Sequence, residues 1–118
     1  MNEFIERPWG GYQIIYENFG IVVKILSVNP GARLSLQKHT FRSEEWTSTT
    51  SGMVAEIGPL LIDLDVHSSV YVAAGEIHRL HNTSDEVGHV VEVITGLYDE
   101  EDIIRLEDDY GRIESEND

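Results

Sequence analysis

Short apolar runs recur about every 8 to 12 residues along this chain, each closed by Gly, Pro, Asn or Asp, and that spacing predicts an all-β sandwich or barrel. Alternation of apolar and polar positions predicts strands over 12–16, 21–28, 33–38, 46–50, 53–57, 60–64, 69–72, 77–81 and 90–94. The breaks between them carry reversal chemistry: Asn29-Pro30-Gly31, Ser51-Gly52, Gly58-Pro59, Ala74-Gly75 and the polar run Asn82-Thr83-Ser84-Asp85. No stretch has the periodicity of a long helix. The acids Asp99 to Asp102 predict a short helical turn ahead of Ile103 and Ile104.

The 118 residues suit one domain, 1–112, with a core large enough to need no covalent staples, and the polar stretch 113–118 reads as a frayed or disordered tail. The apolar share of 41% offsets a formal charge of −14 and argues for a folded chain. The absence of cysteine removes disulfides and thiolate zinc sites, so any metal must be held by His, carboxylate or amide oxygen. An excess of 22 acidic over 8 basic residues repels nucleic acid, and an anionic small substrate needs a locally basic pocket. The first residues, with no long apolar run and no basic leader, indicate neither a signal peptide nor a membrane span and are consistent with a cytoplasmic location.

On a strand over 33–38, Arg33, Ser35, Gln37 and His39 share one face and Leu34, Leu36 and Lys38 the other. Taken alone, that polar face is as readily solvated as functional. Gln37, His39 and Glu44, with His78 on a distant strand, form a mixed amide, carboxylate and imidazole set suited to a divalent ion. His67, His81 and His89 lack such spacing and read as surface or packing residues, with His81 opposite His78. Trp9 and Trp46 fit core packing better than a sugar-lining role. The regular alternation also turns Arg79 and Lys38 away from the polar face.

Gly31, Gln37, His39 and Glu44 resemble the first cupin motif, with Gln in place of its first His, and Gly75, His78 and Asn82 resemble the second, with Ala73 in place of its Pro. Four further stretches, Arg7-Pro8-Trp9-Gly10 with Tyr12, Pro30 to Gln37, Ala74 to Leu80, and Glu107 to Arg112, resemble the C-terminal mannose-6-phosphate isomerase domain of bifunctional mannose-1-phosphate guanylyltransferase/mannose-6-phosphate isomerase enzymes. That family usually runs Gln-Met-His-His-His-Arg-x-Glu-His-Trp; here Gln37, His39, Arg42, Glu44 and Trp46 match, while Thr40, Phe41 and Glu45 replace histidines.

The resemblance implies a single-domain cupin, a double-stranded β-helix of jelly-roll type. It implies a divalent metal, zinc first and cobalt, manganese or iron as alternatives, held by Gln37, His39, Glu44 and His78. It implies isomerisation of mannose 6-phosphate to fructose 6-phosphate, with Arg42 as catalytic and phosphate-holding residue and Arg33 as a second substrate contact. No nucleotide-transfer signature accompanies these motifs. Two readings remain beside it: a sugar- or metabolite-binding cupin without turnover, and another metal-cupin chemistry such as oxygenation. Apolar outer faces, Leu34 and Leu36 among them, make a homodimer the expected assembly.

Overall fold

The computed structural model describes residues 3–112, and the predicted tail at 113–118 lies outside them. The chain forms eleven strands: β1 (Phe4–Arg7), β2 (Gly10–Asn18), β3 (Ile21–Val28), β4 (Leu36–Lys38), β5 (Arg42–Ser48), β6 (Met53–Ile57), β7 (Leu60–Leu64), β8 (Ser69–Val72), β9 (His78–Asn82), β10 (Gly88–Gly96) and β11 (Ile104–Glu107). They make two sheets, ordered β1-β2-β3-β10-β5-β8 and β11-β4-β9-β6-β7, and among the described residues every strand pairing is antiparallel. No helix of the described residues is long and apolar enough to cross a membrane.

Burial alternates with a period of two along β3, β5, β6 and β10, as side chains on a pleated strand must when one face is covered. The covered faces meet as a core of Leu26, Val28, Trp46, Met53, Leu64, Val72, Leu80 and Val90. Each such side chain contributes about 1.5–3 kcal/mol of transfer free energy. The chain leaves β3 through a turn at Asn29-Pro30-Gly31-Ala32, where Ala32 N–H donates to Asn29 O at 3.0 Å and Gly31 sits at φ 71°. Proline before a left-handed glycine is the chemistry of a type II turn.

Two strands escaped the sequence pattern, β1 and β11, because each has only four residues and lies at a sheet edge, where burial alternates weakly. The strand expected over 33–38 is reduced to Leu36–Lys38, preceded by an isolated bridge from Arg33 to His81. The pairing of β4 with β9 is confined to Gln37 and His78. The expected helical turn at Asp99 to Asp102 is a single reversal closed by Asp102 N–H donating to Asp99 O, with Asp99 Oδ1 accepting from Glu101 N–H.

Candidate functional site

Two rows of side chains face one another between the sheets. Across β3, β10 and β5, Lys24, Glu92 and Trp46 are direct neighbours, with Glu44 and Arg42 following Trp46 at alternate positions. Across β11, β4 and β9, Arg105, Gln37 and His78 are direct neighbours. Paired residues of an antiparallel ladder share a face, so both rows project into one cavity of about 300 Å³.

Glu44 is the hub. Its Oε2 lies 3.2 Å from His39 Nε2 and its Oε1 lies 3.5 Å from His78 Nε2. Arg42 donates from Nε to Glu44 Oε2 at 3.1 Å and from Nη2 to His39 Nε2 at 3.1 Å. His39, Glu44 and His78 are 3%, 2% and 3% exposed, so water does little to moderate these charges.

Both imidazoles are locked from behind. His39 Nδ1 donates to the Asp102 carbonyl at 2.6 Å and His78 Nδ1 to the Glu76 carbonyl at 2.8 Å. A carbonyl only accepts, so Nδ1 carries the proton and Nε2 presents its lone pair to the cavity. Burial, reinforced by the Arg42 charge, lowers the His39 pKa to about 4, and burial likewise lowers that of His78. Burial and repulsion from Glu92 push the Glu44 carboxyl well up.

This donor set passes a chemical test for a cation. His78 Nε2 faces Glu44 Oε1 lone pair to lone pair, an arrangement that a proton or a metal would bridge. Arg42 already donates to both His39 Nε2 and Glu44 Oε2, and a metal at His39 would take that donor's place. The ligating atoms of His39, Glu44 and His78 lie within 4.8 Å of one another. Gln37 commits its amide nitrogen to Ser35, at 3.1 Å to Oγ and 3.4 Å to O, which leaves its amide oxygen as the donor atom beside His78. The cluster could therefore hold a divalent ion.

The four expected ligands and Arg42 are brought together. Arg33 is not with them: it bridges His81, one residue out of register with the Gln37–His78 pair, so its side chain leaves the Gln37 face, and its guanidinium pairs with Asp109 at 2.6 and 2.9 Å on the surface. Arg79, expected to point away, is 3% exposed and lines the cavity, donating to Leu34 O and reaching Glu107. The irregular segment before β4 bears on both, since the register changes there and Leu34 O accepts from Arg79 Nε. Trp9 and Trp46 pack in the core, as expected, and also wall the cavity; Trp46 Nε1 donates to Glu92 at 2.9 Å. His67 is exposed, and His89 contacts Ser27 Oγ outside the cavity.

Lys24, Glu92, Glu100 and Arg105 also line the cavity and were missed. For two of them the sequence held a usable sign: Lys24 and Glu92 are charges in the middle of the apolar runs Val22-Val23-Lys24-Ile25-Leu26 and Val90-Val91-Glu92-Val93-Ile94, on the same parity as buried residues. Six of the chain's eight Lys and Arg side chains (Arg7, Lys24, Arg42, Arg79, Arg105 and Arg112) line this one cavity. A molecule of charge −14 thus concentrates its positive charge at a single point.

Comparison with known proteins agrees with this architecture. A solved cupin-2 domain from Rhodospirillum rubrum superposes with a TM-score of 0.68 at 14% identity, covering 76% of this chain and 62% of that one, which supports the cupin fold alone. The xanthan biosynthesis protein XanB of Xanthomonas campestris is 38% identical over 109 residues, 92% of this chain and 23% of that protein. A mannose-1-phosphate guanylyltransferase of Sinorhizobium fredii is 39% identical over 104 residues, 87% of this chain and 20% of that protein. The chain thus spans less than a quarter of the length of these relatives. The model of the mannose-6-phosphate isomerase C-terminal family matches residues 1–108, and the chain belongs to that family.

Proposed function

We propose that this domain is a metal-dependent sugar-phosphate isomerase that interconverts mannose 6-phosphate and fructose 6-phosphate. The observation that carries the reading is the union, in one cavity, of a metal-competent His39, Glu44, His78 and Gln37 cluster with six cationic side chains. A divalent ion, zinc first among the candidates, would polarise the carbonyl and hydroxyl oxygens at C1 and C2.

The chain's own residues supply the rest. The carbonyls of Asp102 and Glu76 hold the two imidazoles in one tautomer, so the cluster is organised before substrate arrives. Arg42, fixed against Glu44 and His39, presents a planar cation to an oxygen that gains negative charge. Glu92, steadied by Trp46, is the second buried carboxylate of the cavity and the group assigned to carry the proton between C1 and C2. Trp9 and Trp46 wall the cavity against bulk water.

A cytoplasmic homodimer belongs to the same reading. Leu60, Leu61 and Tyr71, on strands β7 and β8 at the edges of the two sheets, are 58%, 74% and 62% exposed and offer apolar surface to a second copy. Leu34, by contrast, packs against the core.

The test follows fructose 6-phosphate formation by metal-reconstituted protein, with His78→Ala and Arg42→Ala alongside and bound metal quantified in each. Turnover lost in both variants, with metal lost in His78→Ala and kept in Arg42→Ala, supports the assignment. A wild type that binds metal and mannose 6-phosphate without turnover replaces it with the binding-protein reading, which the departures Thr40, Phe41 and Glu45 favour.

A further inference from the structure

One carboxylate at the cavity mouth is held by more donors than its position requires. Glu100, in the connection between β10 and β11, accepts from Tyr98 OH at 2.5 Å and Tyr12 OH at 3.0 Å, and ion-pairs with Arg7 and Lys24, each at 3.5 Å. Its side chain is 51% exposed, while Lys24 is 5% and Tyr12 7% exposed. Two cations and two phenols, of which Lys24 and Tyr12 are buried and Arg7 and Tyr98 partly so, therefore converge on an acid that belongs to a surface loop.

Three other cations of the cavity are committed. Arg112 grips Asp108 at 2.8 and 3.0 Å, Arg79 donates to Leu34 O at 3.0 Å, and Arg42 is tied to Glu44 and His39. The Lys24 ammonium is different. Among the described residues its hydrogen-bond acceptor is Glu100 alone, at the limit of bonding distance, and the faces of Tyr12 and Tyr98 lie 4.0 and 4.8 Å from it. Removing Glu100 leaves two positive charges and two hydroxyl donors facing the cavity, which matches the charge and acceptor oxygens of a phosphate monoester. The Tyr98 ring also lies under the Arg42 guanidinium at 5.3 Å, so one side chain separates this clasp from the Glu44 cluster.

We propose that Arg7, Lys24, Tyr12 and Tyr98 form the phosphate subsite of the cavity, and that Glu100 is its built-in occupant, displaced when a phosphate monoester enters. The inference rests on the sugar-phosphate reading and assigns its phosphate end. Displacement needs only a local swing of the loop. Its two ends are anchored by Leu97 N–H donating to Phe41 O and by the Asp102 carboxylate accepting from Thr40 and Phe41 N–H. Free protein thus spends part of its phosphate affinity on expelling its own acid.

Calorimetric titration with inorganic phosphate, mannose 6-phosphate and mannose tests this on the whole chain. Glu100→Ala binds inorganic phosphate about tenfold tighter than wild type, while Glu101→Ala, a neighbour of equal charge, does not. Adding Lys24→Met to Glu100→Ala abolishes the gain; if circular dichroism shows that double variant unfolded, Arg7→Gln in the same background decides. Unchanged affinity in Glu100→Ala, an equal gain in Glu101→Ala, or a gain that survives loss of the cation overturns the proposal. Phosphate binding needs no turnover: tightened binding without isomerisation sinks the isomerase reading and keeps the subsite, and isomerisation with unchanged phosphate affinity does the reverse.

Discussion

Asn82 is completely buried, and Asn82→Ala measures what holds β9, and with it His78, in place. Its Nδ2 donates to Val28 O at 2.9 Å and Glu86 O at 2.8 Å, with Asn29 O at 3.3 Å; its Oδ1 accepts from Ser84 N–H at 2.9 Å and Ser84 Oγ at 2.8 Å. One amide thus ties β9 to the end of β3 and to the loop before β10. Gly88 gives it room, since a Cβ there would come within 2.5 Å of Met53 Sδ and 3.1 Å of Asn82 Nδ2. Alanine removes the two short donations and the acceptor for Ser84, each worth about 0.5–1.5 kcal/mol, and leaves interior carbonyls unpaired at about 1–3 kcal/mol each. Some of that is recovered if water enters the vacated space. The expected loss is about 3–5 kcal/mol, a large fraction of the total for a domain this size. Urea unfolding followed by tryptophan fluorescence measures it, with the slope unchanged. A loss under about 1 kcal/mol would refute the idea that this amide staples β9, because that is the net worth of a single ordinary hydrogen bond.

Asp102→Ala removes the carboxylate that accepts from Thr40 and Phe41 N–H and loosens the carbonyl that orients His39, so zinc affinity by chelator competition falls about tenfold or more. Trp46→Phe keeps most of the buried ring but deletes the donor to Glu92, costing about 1–3 kcal/mol in denaturant unfolding and lowering turnover more than substrate affinity. Burial acts to raise the Glu100 pKa, but bonds from Tyr98, Lys24 and Tyr12 outweigh it and hold the group at about 2 against an ordinary 4.5. Between those values the unfolded chain binds a proton that the folded chain refuses. Its contribution is therefore full above about pH 4.5 and is lost as pH falls toward 2. Acid melts of Glu100→Gln show a shallower fall across that window than wild type; parallel curves contradict the assignment.

The barrel was legible in the sequence because β3, β6, β7, β8 and β10 carry strong apolar periodicity and closing turns. The cluster was legible because Gln37, His39, Glu44 and His78 keep a recognisable spacing, and the fold brings them to one cavity. Arg33 was misplaced because strict alternation was assumed over 33–38, whereas its bridge to His81 is one residue out of register with the Gln37–His78 pair; Arg79 was misplaced because its long side chain reaches Leu34 O beside that irregular segment. Alternation gives a side chain's face only where the ladder is continuous. Glu100 was not singled out, since beyond its neighbour Tyr98 its partners Arg7, Tyr12 and Lys24 lie 76 to 93 positions away in the chain. Lys24 and Glu92 were readable as charges on a buried parity, a signal that strand assignment by apolar content passes over.

The central claim is that Glu92, beside the Glu44 cluster and the surrounding cations, moves a proton between adjacent carbons of a sugar phosphate. Incubating the zinc-loaded chain with mannose 6-phosphate in heavy water, and following the sugar by NMR, tests it most directly. The account predicts fructose 6-phosphate and deuterium at the carbon-bound C1 and C2 positions, both abolished by chelation and by Glu92→Gln. Zinc and mannose 6-phosphate bound at one equivalent each, with neither product nor exchange over hours, would contradict it.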